Sequence, residues 1–177
     1  MFESIKIPLI MNRLTLLALA ILTIFGMAGC SKDNEDLEQL ILRQIKGNTY
    51  PGEKIEIGEI CQPDSTFGVM YLPEKEILNI TKMTDNVTEF FMKRTNNMQK
   101  YDPNDGYMAY LANKQMLVAA EINEIIAHSM QKKEFNGWFV RVTYAVTNKS
   151  GKRKNVEYFF LDKEKSFIYN SFSVPLP

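Results

Sequence analysis

Residues that build metal and catalytic sites are scarce in this chain. Its 177 residues include two cysteines and a single histidine. Zinc sites require several Cys, His or acidic ligands at defined spacing. The sequence also contains no glycine-rich phosphate loop and no HExxH or GxSxG pattern. We therefore predict a protein that is not an enzyme and that uses no metal or other cofactor.

An excess of either charge is also absent. The chain carries 21 basic and 21 acidic residues. Nucleic-acid binding normally depends on a basic face. The one basic cluster, residues 152–154, is predicted to lie in a solvated hairpin turn. Nucleic acid is therefore not an expected partner.

The one long apolar run is too short to span a membrane. Residues 14–28 would cover roughly 22 Å as a helix, against a hydrocarbon core of ~30 Å. The run follows Lys6 and Arg13 and ends in small residues. A basic start, a short apolar middle and a small-residue cleavage site are typical of a secretory signal. We therefore expect residues 1–29 to be removed from the mature protein.

The end of this segment resembles the lipobox of bacterial lipoproteins. Met27, Ala28, Gly29 and Cys30 supply an apolar residue, two small residues and a cysteine. The resemblance implies cleavage before Cys30, acylation of its thiol and of the new amino terminus, and a lipid anchor in the outer membrane. Two or three acyl chains hold a protein far more firmly than one. The alternative is an ordinary secreted protein with a coincidental cysteine.

The tract that follows Cys30 is polar and acidic. Residues 31–36 read SKDNED. This tract is similar to the acidic export signal of Bacteroidetes-type surface lipoproteins, and that resemblance implies a surface-exposed location. The alternative is a solvated tether with no role in export. The predicted organisation is a signal peptide at 1–29, a lipidated cysteine and acidic tether at 30–36, and a single folded domain at 37–177.

The second cysteine, Cys61, has no intramolecular disulfide partner once Cys30 carries lipid. Free cysteine is among the most often buried residue types, so we expect a buried structural thiol. An intermolecular disulfide and a reactive role stay open. A reactive thiol would need His128 close enough to form a nucleophile pair. Otherwise we expect His128 to be a surface or hydrogen-bonded side chain.

The first part of the folded domain is predicted to be mainly helical. Apolar spacing predicts helices at residues 35–46, about 73–85, 88–100 and 107–130 and a strand at residues 54–60. Gly58 breaks the alternation of that strand and predicts a bulge. Asp85 and Asn86 are interpreted as the end of the second helix. The longest helix follows a dense turn signal at residues 102–106.

Alternating residues near the C-terminus predict three strands, at residues 138–146, 156–161 and 167–174, with Pro175 as the stop. Short turns between aromatic and β-branched strands indicate an antiparallel meander. Three strands need a cover for their apolar face, and the helix at 107–130 is the natural one. The predicted class is α+β, with helices on one face of an antiparallel sheet. In outline this is similar to cystatin-like and NTF2-like folds.

Aromatic residues crowd the meander and leave two possibilities. If Phe139, Phe159 or Tyr169 faces outward, the sheet presents an apolar surface for a partner. Alternatively, residues 67–100 cover the sheet so that both of its faces are buried. We predict a membrane-anchored, non-enzymatic binding or interaction module of the cell envelope. The alternative is a small-ligand carrier with a pocket between sheet and helices, and the sequence identifies no ligand-binding residue.

Overall fold

Strand β3 (Gly137–Asn148) is the element with which three of the other four described strands pair. The computed structural model describes residues 31–131, 134–149 and 151–177. In chain order, the other elements are α1 (Ser31–Gly47), β1 (Lys54–Ile60), β2 (Asp64–Thr66), α2 (Glu74–Arg94), α3 (Gly106–Ser129), β4 (Gly151–Leu161) and β5 (Ile168–Leu176). Residues 40–177 form one compact unit, and every contact described below lies within it.

The described strands form one antiparallel sheet in the order β1–β3–β4–β5. Both β1 and β2 pair with the same edge of β3, and β4 occupies its other edge. A register shift between Ile57 and Glu59 confirms the bulge predicted at Gly58. The sheet and the described helices confirm the α+β class and the C-terminal meander. The finer likeness to cystatin-like and NTF2-like folds stays a prediction.

Helices α2 and α3 cover one face of the sheet, which we call the first face. Ile80 of α2 and Val118 and Ile125 of α3 belong to one buried apolar cluster with the sheet. The buried sheet residues of this cluster are Phe139, Val156, Tyr158, Phe160, Phe172 and Val174. Burying a large apolar side chain contributes roughly 1.5–3 kcal/mol. Because Val118 and Ile125 of α3 belong to this cluster, the predicted cover of the sheet by the long helix is confirmed.

Aromatic side chains of the strands are buried on the opposite face too, which we call the second face. Phe159 is fully buried and Phe139, on the first face, is 4% exposed. Tyr169 is half-buried and packs against the first-face cluster. Of the two possibilities that the sequence leaves open, the surface of outward aromatic rings is therefore wrong at these positions. The predicted cover by residues 67–100 is confirmed only for the first face, since α2 joins that cluster.

Helix α2 is continuous, so the two shorter helices predicted in its place are wrong. Asp85 and Asn86, interpreted as a stop, are exposed residues inside the helix. Neither is proline or glycine, so each costs well under ~1 kcal/mol relative to alanine in a helix. Val87 follows them directly and is completely buried. Its burial outweighs the weak local preference of Asp and Asn for a turn.

The last two strands are longer than predicted. Strand β4 begins at Gly151, so Arg153 lies within a paired strand and not in a solvated turn. Strand β5 continues through Pro175, which pairs with Asn155, although the sequence predicts an end there. Because β5 is an edge strand, the missing N–H of proline need not break a ladder bond.

Gly137 begins β3 where the backbone of β4 approaches most closely. A Cβ atom there would lie 1.9 Å from the carbonyl oxygen of Leu161. A backbone oxygen in a paired strand cannot move aside cheaply. We therefore expect Gly137→Ala to lower the free energy of unfolding by about 2 kcal/mol, as overpacking does.

Gly106→Ala is the matched control for this substitution. A Cβ at Gly106 meets nothing within 4 Å, so we expect a change between zero and about 1 kcal/mol of added stability. Urea denaturation of both variants measures the difference. Equal unfolding midpoints for the two variants would contradict the proposed clash.

Candidate functional site

A cavity of about 340 Å³ opens on the second face of the sheet. The sheet supplies Tyr144, Val146, Arg153, Asn155, Glu157, Ser171 and Ser173. Helix α3 supplies Tyr110, Lys114 and Glu121, and the connection from α1 to β1 supplies Asn48, Thr49, Tyr50 and Glu53. The sheet residues recur every second position, as side chains on one face of a strand must. All but one of the lining residues are polar.

The most buried charged residue of the cavity is Glu157, which is 4% exposed. The Tyr144 hydroxyl donates a hydrogen bond of 2.7 Å to its Oε2 atom. Burial and the adjacent carboxylate of Glu157 raise the pKa of Tyr144, because both oppose a negative phenolate. Tyr144 therefore stays a hydrogen-bond donor to Glu157 at neutral pH.

A second tyrosine approaches the same strand from helix α3. The Tyr110 hydroxyl donates a hydrogen bond of 2.6 Å to Oδ1 of Asn155, which is 6% exposed. Burial is the main cause that raises the pKa of Tyr110. The guanidinium of Arg153 lies 5.1 Å from the centre of the Tyr110 ring, a cation–π distance. Tyr110 therefore connects the helix to the cavity floor.

One wall of the cavity is held by Glu53. Its carboxylate accepts hydrogen bonds from the Tyr50 backbone N–H at 2.9 Å and the Asn148 side chain at 2.8 Å, and it forms an ion pair with Arg153. Burial acts to raise the pKa of Glu53, but these three donors outweigh it and lower the pKa. Arg153 is thus a wall residue of the cavity, which corrects the solvated turn predicted from the sequence.

Lys114 and Glu121 lie about two turns apart on α3, and both line the cavity. The Lys114 Nζ atom donates a hydrogen bond of 3.1 Å to the Ser173 hydroxyl. Desolvation raises the pKa of Glu121, with the charge of Glu124 adding to it and that of Lys114 opposing it. The helix therefore brings one cation and one desolvated carboxyl group to the cavity.

The charges of the lining do not balance. Glu53, Glu121 and Glu157 give three acids, and Lys114 and Arg153 give two bases, which leaves one negative charge. Ligand pockets are usually lined mainly by apolar side chains with a few polar groups, whereas this lining offers hydroxyl, amide and charged groups almost throughout. The geometry therefore suits a small polar ligand.

The two residues considered for nucleophilic chemistry have separate partners. Cys61 is half-buried, and Nη2 of Arg141 lies 3.2 Å from its sulfur. His128 lies 3.7 Å from Glu124 one turn earlier on α3. Within residues 31–131, 134–149 and 151–177, no hydrogen bond joins Cys61 to His128. The prediction that Cys61 is buried is wrong, because its thiol is only half-buried. It lies beside the guanidinium of Arg141, which reaches solvent.

Cys30, predicted to carry lipid, and the lipobox-like residues 27–30 lie outside the described residues. Among those that are described, no three His, Cys, Asp or Glu side chains are grouped as a metal ion would require. No helix in the described part of the chain combines the length and the apolar character needed to cross a bilayer.

Sequence reasoning did not find the cavity. Its residues come from β3, β4, β5, α3 and a loop, and they share no motif. One signal was available: Asn155 and Glu157 interrupt the apolar residues at alternate positions of a strand whose partners are buried. Polar side chains in place of apolar ones on a covered face indicate a cavity or a buried network.

Removing the Tyr144 hydroxyl tests the Glu157 contact. Tyr144→Phe leaves a buried carboxylate without its protein donor, and we expect the free energy of unfolding to fall by about 2 kcal/mol. Tyr110→Phe is the matched control. It removes a bond to the neutral amide of Asn155, for which about 1 kcal/mol is expected. Chemical denaturation measures both, and an equal or larger loss for Tyr110→Phe would contradict the assigned role of Glu157.

No protein-family model, curated protein or solved structure matches this chain. The function therefore has to be argued from the cavity and from the N-terminal residues themselves.

Proposed function

We propose that this protein is a lipid-anchored lipoprotein of the outer membrane whose α+β domain binds a small polar ligand in the cavity. The anchor is supported by the apolar run at residues 14–28 and by the lipobox-like residues 27–30. The ligand is supported by the structure of the second face. Neither part invokes catalysis.

The observation that supports a ligand is that polar side chains are buried around an open cavity. Asn155 and Glu157 are 6% and 4% exposed, yet they line a cavity and not a packed interface. Burying an amide or a carboxylate costs free energy unless partners compensate. The corresponding part of the first face is packed with apolar side chains. A polar cavity opposite an apolar core is better explained by binding than by stability.

An interaction module for an envelope protein is the other form of this proposal. Its support is that Met116 and Leu117 of α3 are 75% and 57% exposed. Exposed apolar residues that are scattered over a surface are normal in proteins. The cavity therefore supports a small ligand more strongly than α3 supports a protein.

The anchor is tested by Cys30→Ala. The variant lacks the thiol that the lipobox resemblance assigns to acylation, so we expect it to leave the membrane fraction. Carbonate-washed membranes and soluble fractions, probed with an antibody, measure the distribution. Cys61→Ala is the matched control and should fractionate as the wild type does. Retention of Cys30→Ala in washed membranes would overturn the lipoprotein proposal.

Cavity binding is tested by filling the cavity. Saturation-transfer difference NMR on the full-length protein in detergent would screen a set of sugars, amino acids and small amines. We expect at least one class to bind in a saturable way. Ser171→Phe places a ring in the cavity and should abolish that binding.

Leu78→Phe is the control for added aromatic bulk, because Leu78 is 53% exposed on α2 and does not line the cavity. It should leave binding unchanged. If no member of the set binds, or if Ser171→Phe binds as well as the wild type, the cavity is not the ligand site.

A further inference from the structure

We propose that the ligand of this cavity carries one ammonium group and that the carboxylate of Glu157 receives it. This inference rests on the proposed function and names the class of ligand. It follows from three features of the cavity: a buried carboxylate without a cation, protein cations that are engaged elsewhere, and a net negative charge.

The carboxylate of Glu157 has only a neutral protein partner. Its Oε2 atom accepts the Tyr144 hydroxyl at 2.7 Å. Within the described residues, no other hydrogen bond reaches its side chain, and no Lys, Arg or His nitrogen lies within 4.0 Å of its carboxylate oxygens. A buried carboxylate without a cation keeps most of its desolvation cost, which is several kcal/mol for an ion. A cation supplied by a ligand would remove that cost.

The two cations that line the cavity have partners other than Glu157. Arg153 forms an ion pair with Glu53 and lies over the Tyr110 ring. Lys114 donates to the Ser173 hydroxyl at 3.1 Å. Ser173 is the residue opposite Glu157 in the register of β4 and β5, so Lys114 approaches Glu157 but bonds to its neighbour. Among the described residues, neither of the two cavity cations therefore forms an ion pair with Glu157.

The size and walls of the cavity limit the rest of the ligand. Its volume of about 340 Å³ is at the small end of the range of roughly 300–1,000 Å³ found for ligand pockets. The rings of Tyr110 and Tyr144 offer apolar walls, while Ser171, Ser173 and Asn155 offer hydrogen bonds to hydroxyl groups. A compact monocation with hydroxyl groups, such as an amino sugar or an amino alcohol, fits this chemistry.

The test compares probes that differ only in the ammonium group. D-glucosamine and D-glucose are one pair, and 2-aminoethanol and ethylene glycol are the other. Saturation-transfer difference NMR on the full-length protein in detergent gives the dissociation constant of each. We expect the amine of each pair to bind at least tenfold more tightly than its neutral partner.

Glu157→Gln identifies the residue responsible. Glutamine keeps an oxygen that accepts the Tyr144 hydroxyl, but it removes the charge. We expect the dissociation constant of the amine probes to rise at least tenfold and that of the neutral probes to stay the same. Glu59→Gln is the matched control: Glu59 is exposed and lies outside the cavity, so amine binding should be unchanged. Circular dichroism melting checks that both variants fold.

The outcomes separate this inference from the proposed function. Equal binding of amines and neutral probes, or full amine binding by Glu157→Gln, overturns the ammonium inference and leaves cavity binding standing. Failure of every amine to bind also overturns it. If in addition no molecule shows binding that Ser171→Phe abolishes, the proposed function fails as well.

Discussion

The pairing of β3 with β4 is the constraint on which the rest of this structure depends. Its register runs without interruption from Trp138 opposite Leu161 to Asn148 opposite Gly151. Because side chains alternate across a strand, this register decides which residues share a face, and a slip by one position would exchange the two sets. It brings Tyr158 to the apolar first face and Glu157 to the second. The cavity is therefore a consequence of the same register that builds the core.

Each face holds a carboxylate that accepts a hydrogen bond from a tyrosine; Glu76 on the first face is half-buried, and Glu157 on the second face is buried. On the first face Glu76 accepts the Tyr158 hydroxyl at 2.9 Å and has Arg141 at 3.2 Å as a counter-ion. On the second face Glu157 has its tyrosine but no counter-ion among the described residues. The first arrangement joins α2 to the sheet and is complete within the protein. Glu157 lacks a counter-ion of the kind that Arg141 provides for Glu76, and its side chain lines the cavity.

The sequence predicted what depends on local periodicity and missed what depends on long-range pairing. Helix α3, the bulge at Gly58 and the meander follow from spacing that one segment carries alone. The break expected at Asp85 failed because burial of Val87, a tertiary effect, outweighs a weak local preference. The basic cluster around Arg153 predicts a solvated turn, whereas the ion pair of Arg153 with Glu53 joins residues a hundred positions apart. No single stretch of sequence records that contact.

The two carboxyl groups at the sides of the cavity respond to acid in a fixed order. The pKa of Glu121 is raised from its usual 4.5, whereas the pKa of Glu53 is lowered from the same value. A lowered pKa contributes stability above the pKa of the unfolded state, and that stability is lost only as pH falls through the lower folded value. A raised carboxyl pKa works in the opposite sense, so protonation of Glu121 favours the folded state. As pH falls, Glu121 therefore loses its charge while the ion pair of Glu53 and Arg153 still holds the wall. Mild acid therefore reduces the negative charge of the cavity before it weakens the ion pair in its wall. The charge of the cavity can thus change while the wall stays in place.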